Sequence, residues 1–77
     1  MDFTDLKNTW IHGQPVSQRE HQILAMYSYG FNDDQIVAEH LGITVKYVQY
    51  AKSKLRRRFE VYSLHSLARV YESARQI

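Results

Sequence analysis

The sequence has no cysteine, one proline and three glycines, and no apolar run that approaches the roughly 20 residues of a membrane-spanning helix. The lack of cysteine excludes disulfides, thiolate metal sites and a cysteine nucleophile. The N-terminus carries acidic residues where a signal peptide carries basic ones. A chain of 77 residues suffices for one small domain, which we expect to lie in the cytoplasm and to have no contact with membranes.

Motifs for catalysis and metal binding are also missing. The sequence contains no Gly-rich phosphate loop and no nucleophile motif. The adjacent carboxylates of Asp33 and Asp34 are more typical of a helix N-terminus than of an acid–base pair. The histidines do not pair at helical spacing, which favours exposed or capping roles over metal binding. They are His12, His21, His40 and His65. We therefore expect no enzyme, no metal site and no cofactor.

Acidic and basic residues are distributed unevenly along the chain. Residues 1–45 contain two basic and six acidic residues, whereas residues 46–77 contain eight basic and two acidic ones. Six of the ten basic residues fall between positions 46 and 58, a segment without any acid. This asymmetry indicates a polyanionic partner, with nucleic acid as the first candidate. The alternative is a solvated basic face of a helix.

The first 15 residues are predicted to form an N-terminal arm that ends at Pro15, the single proline. Phe3, Leu6 and Trp10 are spaced as in a short amphipathic turn, and the alternation typical of β-strands is not found in the sequence. The arm either covers part of the core or contacts a partner, and the sequence leaves both open.

Helical periodicity extends over residues 16–77, which we predict to be one domain. The first helix begins after Ser17, because Ser17 and Glu20 have the spacing of a capping box, and it ends at Gly30. Its predicted apolar stripe is Ile23, Leu24 and Tyr27, with Val16 packed before the cap.

The next two helices are separated by a very short connection. The second is predicted to begin at Asn32 and to end at Gly42, and Thr44 is a suitable cap for the third. Two short helices with glycine at the corner are typical of a helix-turn-helix, with Ile43 filling the corner. The predicted buried stripe of the second helix is Ile36, Val37 and Leu41.

The third helix, predicted over residues 45–59, has two distinct faces. Val48, Leu55 and Phe59 lie within about 40° of one another and form the apolar side. Lys52 lies near this side and is predicted to extend along it toward solvent. The opposite face has no carboxylate and consists of Lys46, Gln49, Tyr50, Ser53, Lys54 and Arg57.

The residues of this polar face suit contact with duplex DNA. A B-form major groove accepts one α-helix, and Gln, Tyr and Ser side chains are able to contact base edges there. The surrounding Lys and Arg side chains are suited to phosphates. We therefore expect double-stranded DNA as partner. The predicted contact residues, which include the cap and its neighbour, are Thr44, Lys46, Tyr47, Gln49, Tyr50, Ser53, Lys54 and Arg57.

Four groups of residues match a known family pattern: Val16-Ser17-Gln-Arg19-Glu20 with Ile23-Leu24; Gly30, Ile36-Val37 and Leu41-Gly-Ile43-Thr44; Tyr47-Val48-Gln49-Tyr50-Ala51; and Arg58-Phe59-Glu-Val61-Tyr-Ser63. On these motifs, residues 16–67 resemble the LuxR/GerE-type helix-turn-helix family of bacterial transcription regulators. The resemblance implies a compact all-α, four-helix domain that binds DNA. A region-four module of a sigma factor is a further alternative, which the junction at Val61–Ser63 and the fourth helix match less well.

The fourth helix, capped by Ser63, is the usual dimerisation surface in this family. The resemblance therefore implies a homodimer through the C-terminal helix. The residues expected to face the second copy are Leu67, Val70, Tyr71 and Ala74.

Three departures from the family pattern leave an alternative function open. Gln49 replaces the usual lysine, Ala51 replaces the usual histidine, and Asp33-Asp34 replaces Asn-Lys. Only about fifteen residues precede the domain, so we expect no sensory domain. The chain is thus either a sequence-specific regulator or an interaction module that forms a heterodimer with a larger LuxR-type regulator and modulates it.

Overall fold

A computed structural model describes the backbone of residues 2–75 and the side chains of residues 2–74. Residue 1 of the predicted arm and residues 76–77 of the predicted domain lie outside the described residues. The elements in chain order are a 3₁₀ helix (Phe3–Asp5), β1 (Thr9–Ile11), β2 (Gln14–Val16), α1 (Gln18–Ser28), α2 (Asp34–Leu41), α3 (Val45–Arg58) and α4 (Leu64–Arg75). The predicted all-α, four-helix architecture is confirmed, with a small two-stranded sheet added to it.

Helix α1 lies at the centre of the fold. It packs against α2, α3, α4 and the 3₁₀ helix, and every residue from 22 to 27 is buried. The predicted capping box is present, since the Ser17 N–H donates to Glu20 Oε1 (3.0 Å) and the Glu20 N–H donates to Ser17 Oγ (3.2 Å). Because α1 is enclosed by the other helices, its position fixes the frame on which α3 is held.

Helix α2 begins at Asp34, two residues later than expected, and presents a different stripe to the core. The Asp33 carboxylate, not Asn32, caps it by accepting the Gln35 N–H (2.9 Å). The predicted burial of Ile36 is wrong, because this side chain is exposed while Ala38 is buried in its place. Val37, Ala38 and Leu41 occupy positions i, i+1 and i+4, which turns Ile36 toward solvent.

The N-terminal arm contains a β-hairpin, so the expectation of no strands was wrong. β1 and β2 are antiparallel, with Trp10 opposite Pro15. The connecting residues His12 and Gly13 both have positive φ (49° and 78°), as a two-residue type I′ turn requires. Three-residue strands are too short to show alternation, and a His-Gly turn lacks the usual Asn or Asp signal.

The arm covers part of the core and is held there by polar contacts. Phe3, Ile11 and Val16 are buried in the same cluster as the helices. His21 on α1 bonds through Nδ1 to the Lys7 carbonyl oxygen (2.6 Å) and through Nε2 to the Tyr71 hydroxyl (2.9 Å). His21 is thus neither exposed nor a cap, and it links the arm and α4 to the central helix.

Candidate nucleic-acid interface

The corner between α2 and α3 is closed by backbone hydrogen bonds. Gly42 has φ 69°, and the Ile43 N–H donates to the Ala38 carbonyl (3.0 Å), which ends α2 in a Schellman motif. The Thr44 hydroxyl accepts the Tyr47 N–H (3.0 Å) and begins α3. The predicted cap and the predicted helix-turn-helix corner are therefore present, and α3 starts with a defined direction relative to α2.

The polar face of α3 is open to solvent. Lys46, Gln49 and Arg57 are exposed, and the Tyr50 ring is 57% exposed. Ser53 and Lys54 are half-buried, and Lys54 Nζ lies 5.2 Å from the centroid of the Tyr50 ring. Two further residues predicted for the interface, Thr44 and Tyr47, are also exposed. The eight side chains predicted to contact DNA thus lie along one helix and its cap.

The basic side chains of this face have no carboxylate partner. Across residues 2–74, no Asp or Glu oxygen lies within 4.0 Å of the cationic groups of Lys46, Lys54, Arg56 or Arg57. Their positive charges are consequently available to phosphate groups, which carry the negative charge of a DNA duplex.

The prediction that Lys52 extends toward solvent is wrong. It is 9% exposed, and its Nζ donates to Asp34 Oδ1 of α2 (2.6 Å) and to the Tyr27 hydroxyl of α1 (3.3 Å). The Tyr27 hydroxyl also donates to Asp34. The reason for the difference is that Asp34 lies at the start of α2, directly within reach of the lysine. One edge of α3 is thereby tied to both preceding helices.

Arg58 fixes α3 to α1 on a second side. Its Nη1 donates to Glu20 Oε1 (2.7 Å) and to the Pro15 carbonyl (3.1 Å), and its Nη2 donates to Glu20 Oε2 (3.2 Å). This two-pronged contact has the geometry that makes Arg–carboxylate pairs strong. Lys52 and Arg58 are therefore structural, and they leave four of the six clustered basic residues for a ligand.

The charge state of Glu20 sets the strength of the Arg58 contact. Burial raises the pKa of Glu20, but hydrogen bonds from Arg58 and Ser17 and the charges of Arg58 and Lys54 outweigh it, so that the pKa lies below its ordinary value. A lowered pKa in the folded state adds stability above the pKa of the unfolded chain, and this stability is lost as the pH falls through the folded-state pKa.

We expect Glu20→Gln to lower the free energy of unfolding by about 2 kcal/mol at neutral pH, because Arg58 loses its charged partner. Urea unfolding of both proteins between about pH 7 and pH 3 checks this, and the difference should shrink on the acidic side. A difference that stays constant over this range would show that the Glu20 charge contributes nothing.

Two departures from the family pattern have a structural explanation. Ala51, at the position of the usual histidine, is 2% exposed and packs in the core, so this position faces away from the polar face of α3. The Asp34 carboxylate is paired with Lys52, which offsets one of the two negative charges introduced at the start of α2, and the Asp33 carboxylate caps the helix. Gln49 is the remaining change, and it lies on the exposed face.

The residues predicted for dimerisation share one face of α4, and two of them are enclosed in the core of the monomer. Leu67 and Tyr71 are 2% and 4% exposed and belong to the core of the monomer, which leaves them little area for a second copy. Val70 and Ala74 are half-buried at its edge. The dimer surface stays a prediction, with Val70 and Ala74 as its accessible part.

Nothing in the sequence indicates that the hairpin lies beside α3. Trp10 of β1 lies at a surface cleft of about 480 Å³ that Tyr47, Lys54 and Arg58 of α3 also line. The cleft is lined by residues about 40 positions apart, and only the hairpin register shows that Trp10 points away from the core while Ile11 points into it.

Two other features are absent from the part of the chain that the structure describes. No three His, Asp or Glu side chains there come together as a metal ion would require. None of the described helices combines the length and the hydropathy needed to cross a bilayer.

Comparison with known proteins gives one finding. The family model described as "Bacterial regulatory proteins, luxR family" matches residues 14–71, which include the hairpin strand β2, all of α1, α2 and α3, and most of α4. Neither the curated proteins nor the solved structures contain a match.

Proposed function

Because the chain belongs to the LuxR family of bacterial regulatory proteins, whose helix-turn-helix domains bind DNA, we propose that it is a sequence-specific transcription regulator that inserts α3 into the major groove. The observation that supports this most is the polar face of α3, where Lys46, Lys54 and Arg57 form no ion pair with a carboxylate among the described residues. Its place of action is the bacterial cytoplasm, on the chromosome.

The side chains of this face divide into two roles. Gln49, Tyr50 and Ser53 contact base edges, since an amide pairs with adenine, and hydroxyl groups donate or accept. Lys46, Lys54 and Arg57 contact phosphates on the walls of the groove and fix the register of the helix. The Thr44 hydroxyl accepts the Tyr47 N–H at the start of α3, and both exposed side chains lie at the N-terminal end of the DNA-binding surface.

The active form in this proposal is a homodimer that contacts DNA with two copies of α3. Support comes from the half-buried Val70 and Ala74 at the edge of α4, which a second copy would cover. A two-fold dimer places its recognition helices about one helical turn of DNA apart, so the site would be close to a palindrome.

A second candidate is an interaction module that pairs with a larger LuxR-type regulator. Gln49 favours it, because the family's lysine is missing at an exposed position of α3. Capture of a larger regulator, together with no mobility shift on any genomic fragment, would support this candidate over the first.

Gln49→Ala tests the proposed contact with bases. Duplexes selected from a randomised pool at one fixed salt concentration should show that the variant loses its preference at one base pair in each half-site. The expected cost is roughly 1–2 kcal/mol, because one amide–base contact is removed.

Gln35→Ala is the matched control, since Gln35 is an exposed glutamine on α2 and is expected to leave the base preference unchanged. An unchanged preferred site and affinity for Gln49→Ala would remove Gln49 from base recognition.

A further inference from the structure

We propose that the N-terminal hairpin forms a second contact with DNA, in which Trp10 packs against the sugar–phosphate strand that borders the groove occupied by α3. This inference rests on the proposed function, because it requires α3 to lie in the major groove. It adds a contact residue that does not belong to the helix-turn-helix.

The hairpin holds Trp10 in an exposed position. Its side chain is 70% exposed although its neighbour Ile11 is almost fully buried, because adjacent residues of a strand point to opposite faces. The type I′ turn and the burial of Ile11 and Val16 fix this register. The largest apolar side chain of the arm is thus presented outward by a rigid element.

The cleft beside Trp10 runs to one edge of α3. Tyr47, Lys54 and Arg58 lie within about 40° of one another around the helix axis, and all three line this cleft. Lys52, which is tied to α2 through Asp34, lies about 160° away from Lys54 around the same axis. The hairpin and α2 therefore flank the recognition face on opposite sides.

This arrangement matches the dimensions of a major groove. An α-helix with its side chains is about 10–12 Å across, and the groove is about 12 Å wide. A helix seated in the groove fills it, so the two strands that border the groove meet the elements flanking the helix. One strand would pass over the start of α2, and the other would pass over the hairpin.

The chemistry of the cleft suits a nucleic-acid strand. Residues 6–16, which contain the hairpin, include Lys7 and no acid. The one carboxylate in the cleft, Glu20, is paired with Arg58, while Lys54 forms no ion pair with a described carboxylate. Asn8 and Thr9 supply donors for phosphate oxygens. An indole offers an apolar face for a deoxyribose and an N–H for a phosphate.

Trp10 is the single tryptophan, so tryptophan emission reports on the surroundings of this one side chain. The probe is a fluorescein-labelled duplex of roughly 25 base pairs from the randomised selection, long enough for two half-sites. During titration, Trp10 emission should be quenched over the same concentration range in which fluorescein anisotropy rises. Trp10→Ala should weaken binding about tenfold, and Trp10→Phe should restore most of the affinity because an aromatic face for the deoxyribose is retained.

Tyr29→Ala serves as the matched control. Tyr29 is 75% exposed at the C-terminal end of α1, whereas the hairpin precedes the N-terminal end. This variant should bind DNA with the affinity of the wild type. Circular dichroism melting confirms that each variant is folded.

The outcomes separate the two proposals. The anisotropy could rise while Trp10 emission stays constant and Trp10→Ala binds as tightly as the wild type. This result overturns the inference and leaves the proposed function standing. No rise with any duplex overturns both. A Trp10→Ala defect confined to self-association, measured by sedimentation without DNA, overturns the inference in favour of a contact between protein copies.

Discussion

Replacing Lys52 by methionine should lower the free energy of unfolding by about 3 kcal/mol, the largest loss expected from any single basic residue of α3. The side chains of Lys52 and Asp34 are only 11% and 20% exposed, and Nζ lies 2.6 Å from Oδ1. Methionine fills a similar volume but leaves the Asp34 carboxylate without its cation. Urea unfolding followed by circular dichroism measures the effect, because a small domain unfolds in one cooperative transition.

Two further variants determine whether the loss comes from the ion pair. Lys46→Met makes the same change at an exposed position of α3 and should alter stability by less than about 0.5 kcal/mol. Combining Lys52→Met with Asp34→Asn should recover part of the lost stability, since no unpaired charge remains. Equal effects of Lys52→Met and Lys46→Met would contradict a structural role for Lys52.

Arg57→Glu should weaken duplex binding about 100-fold at low salt, because it removes one phosphate contact and adds a charge that repels the backbone. Arg57 is exposed and has no carboxylate partner among the described residues, so the reversal should leave the fold intact. Fluorescence anisotropy with the selected duplex measures the loss. The ratio between variant and wild type should shrink as salt is raised, since screening weakens the repulsion.

The matched control is Arg69→Glu. Arg69 is exposed on α4, so this variant has the same net charge as Arg57→Glu but keeps the α3 face unchanged. It should bind within a few-fold of the wild type. Similar losses for the two variants would show that binding follows total charge and does not depend on the α3 face.

The two ion pairs explain how this face is held in position. Lys52 ties α3 to α2 and α1 on one side, and Arg58 ties it to the capped start of α1 and to the end of the hairpin on the other. Contact with base edges requires side chains on a rigid support. In the proposed function, the stability of the domain and its recognition of DNA are therefore coupled through residues that lie off the polar face of α3.

Local signals account for what the sequence alone predicts correctly. The capping box of Ser17 and Glu20, the glycine at position 42 and the cap Thr44 each depend on residues within four positions of one another. The solvent-facing side of α3 follows from helical periodicity, which places Val48 and Leu55 in the core.

Long-range contacts account for what the sequence does not predict. Charge counts treat Lys52 and Arg58 as free cations, whereas their partners Asp34 and Glu20 lie 18 and 38 positions away. The hairpin strands are too short to show a period, and the position of Trp10 beside α3 depends on the packing of the whole arm. Tertiary structure decides these features, and no local pattern contains them.

Nuclear magnetic resonance of the isotope-labelled protein tests the central claim most directly, because it follows every exposed surface at once. On addition of the selected duplex, we predict that the largest chemical-shift changes occur in Lys46, Gln49, Tyr50, Ser53 and Arg57. The side-chain amide of Gln49 should be among them, while the exposed side of α4 changes little. Shifts that leave these five residues unaffected and concentrate on another surface would contradict the assignment of α3 as the DNA-binding helix.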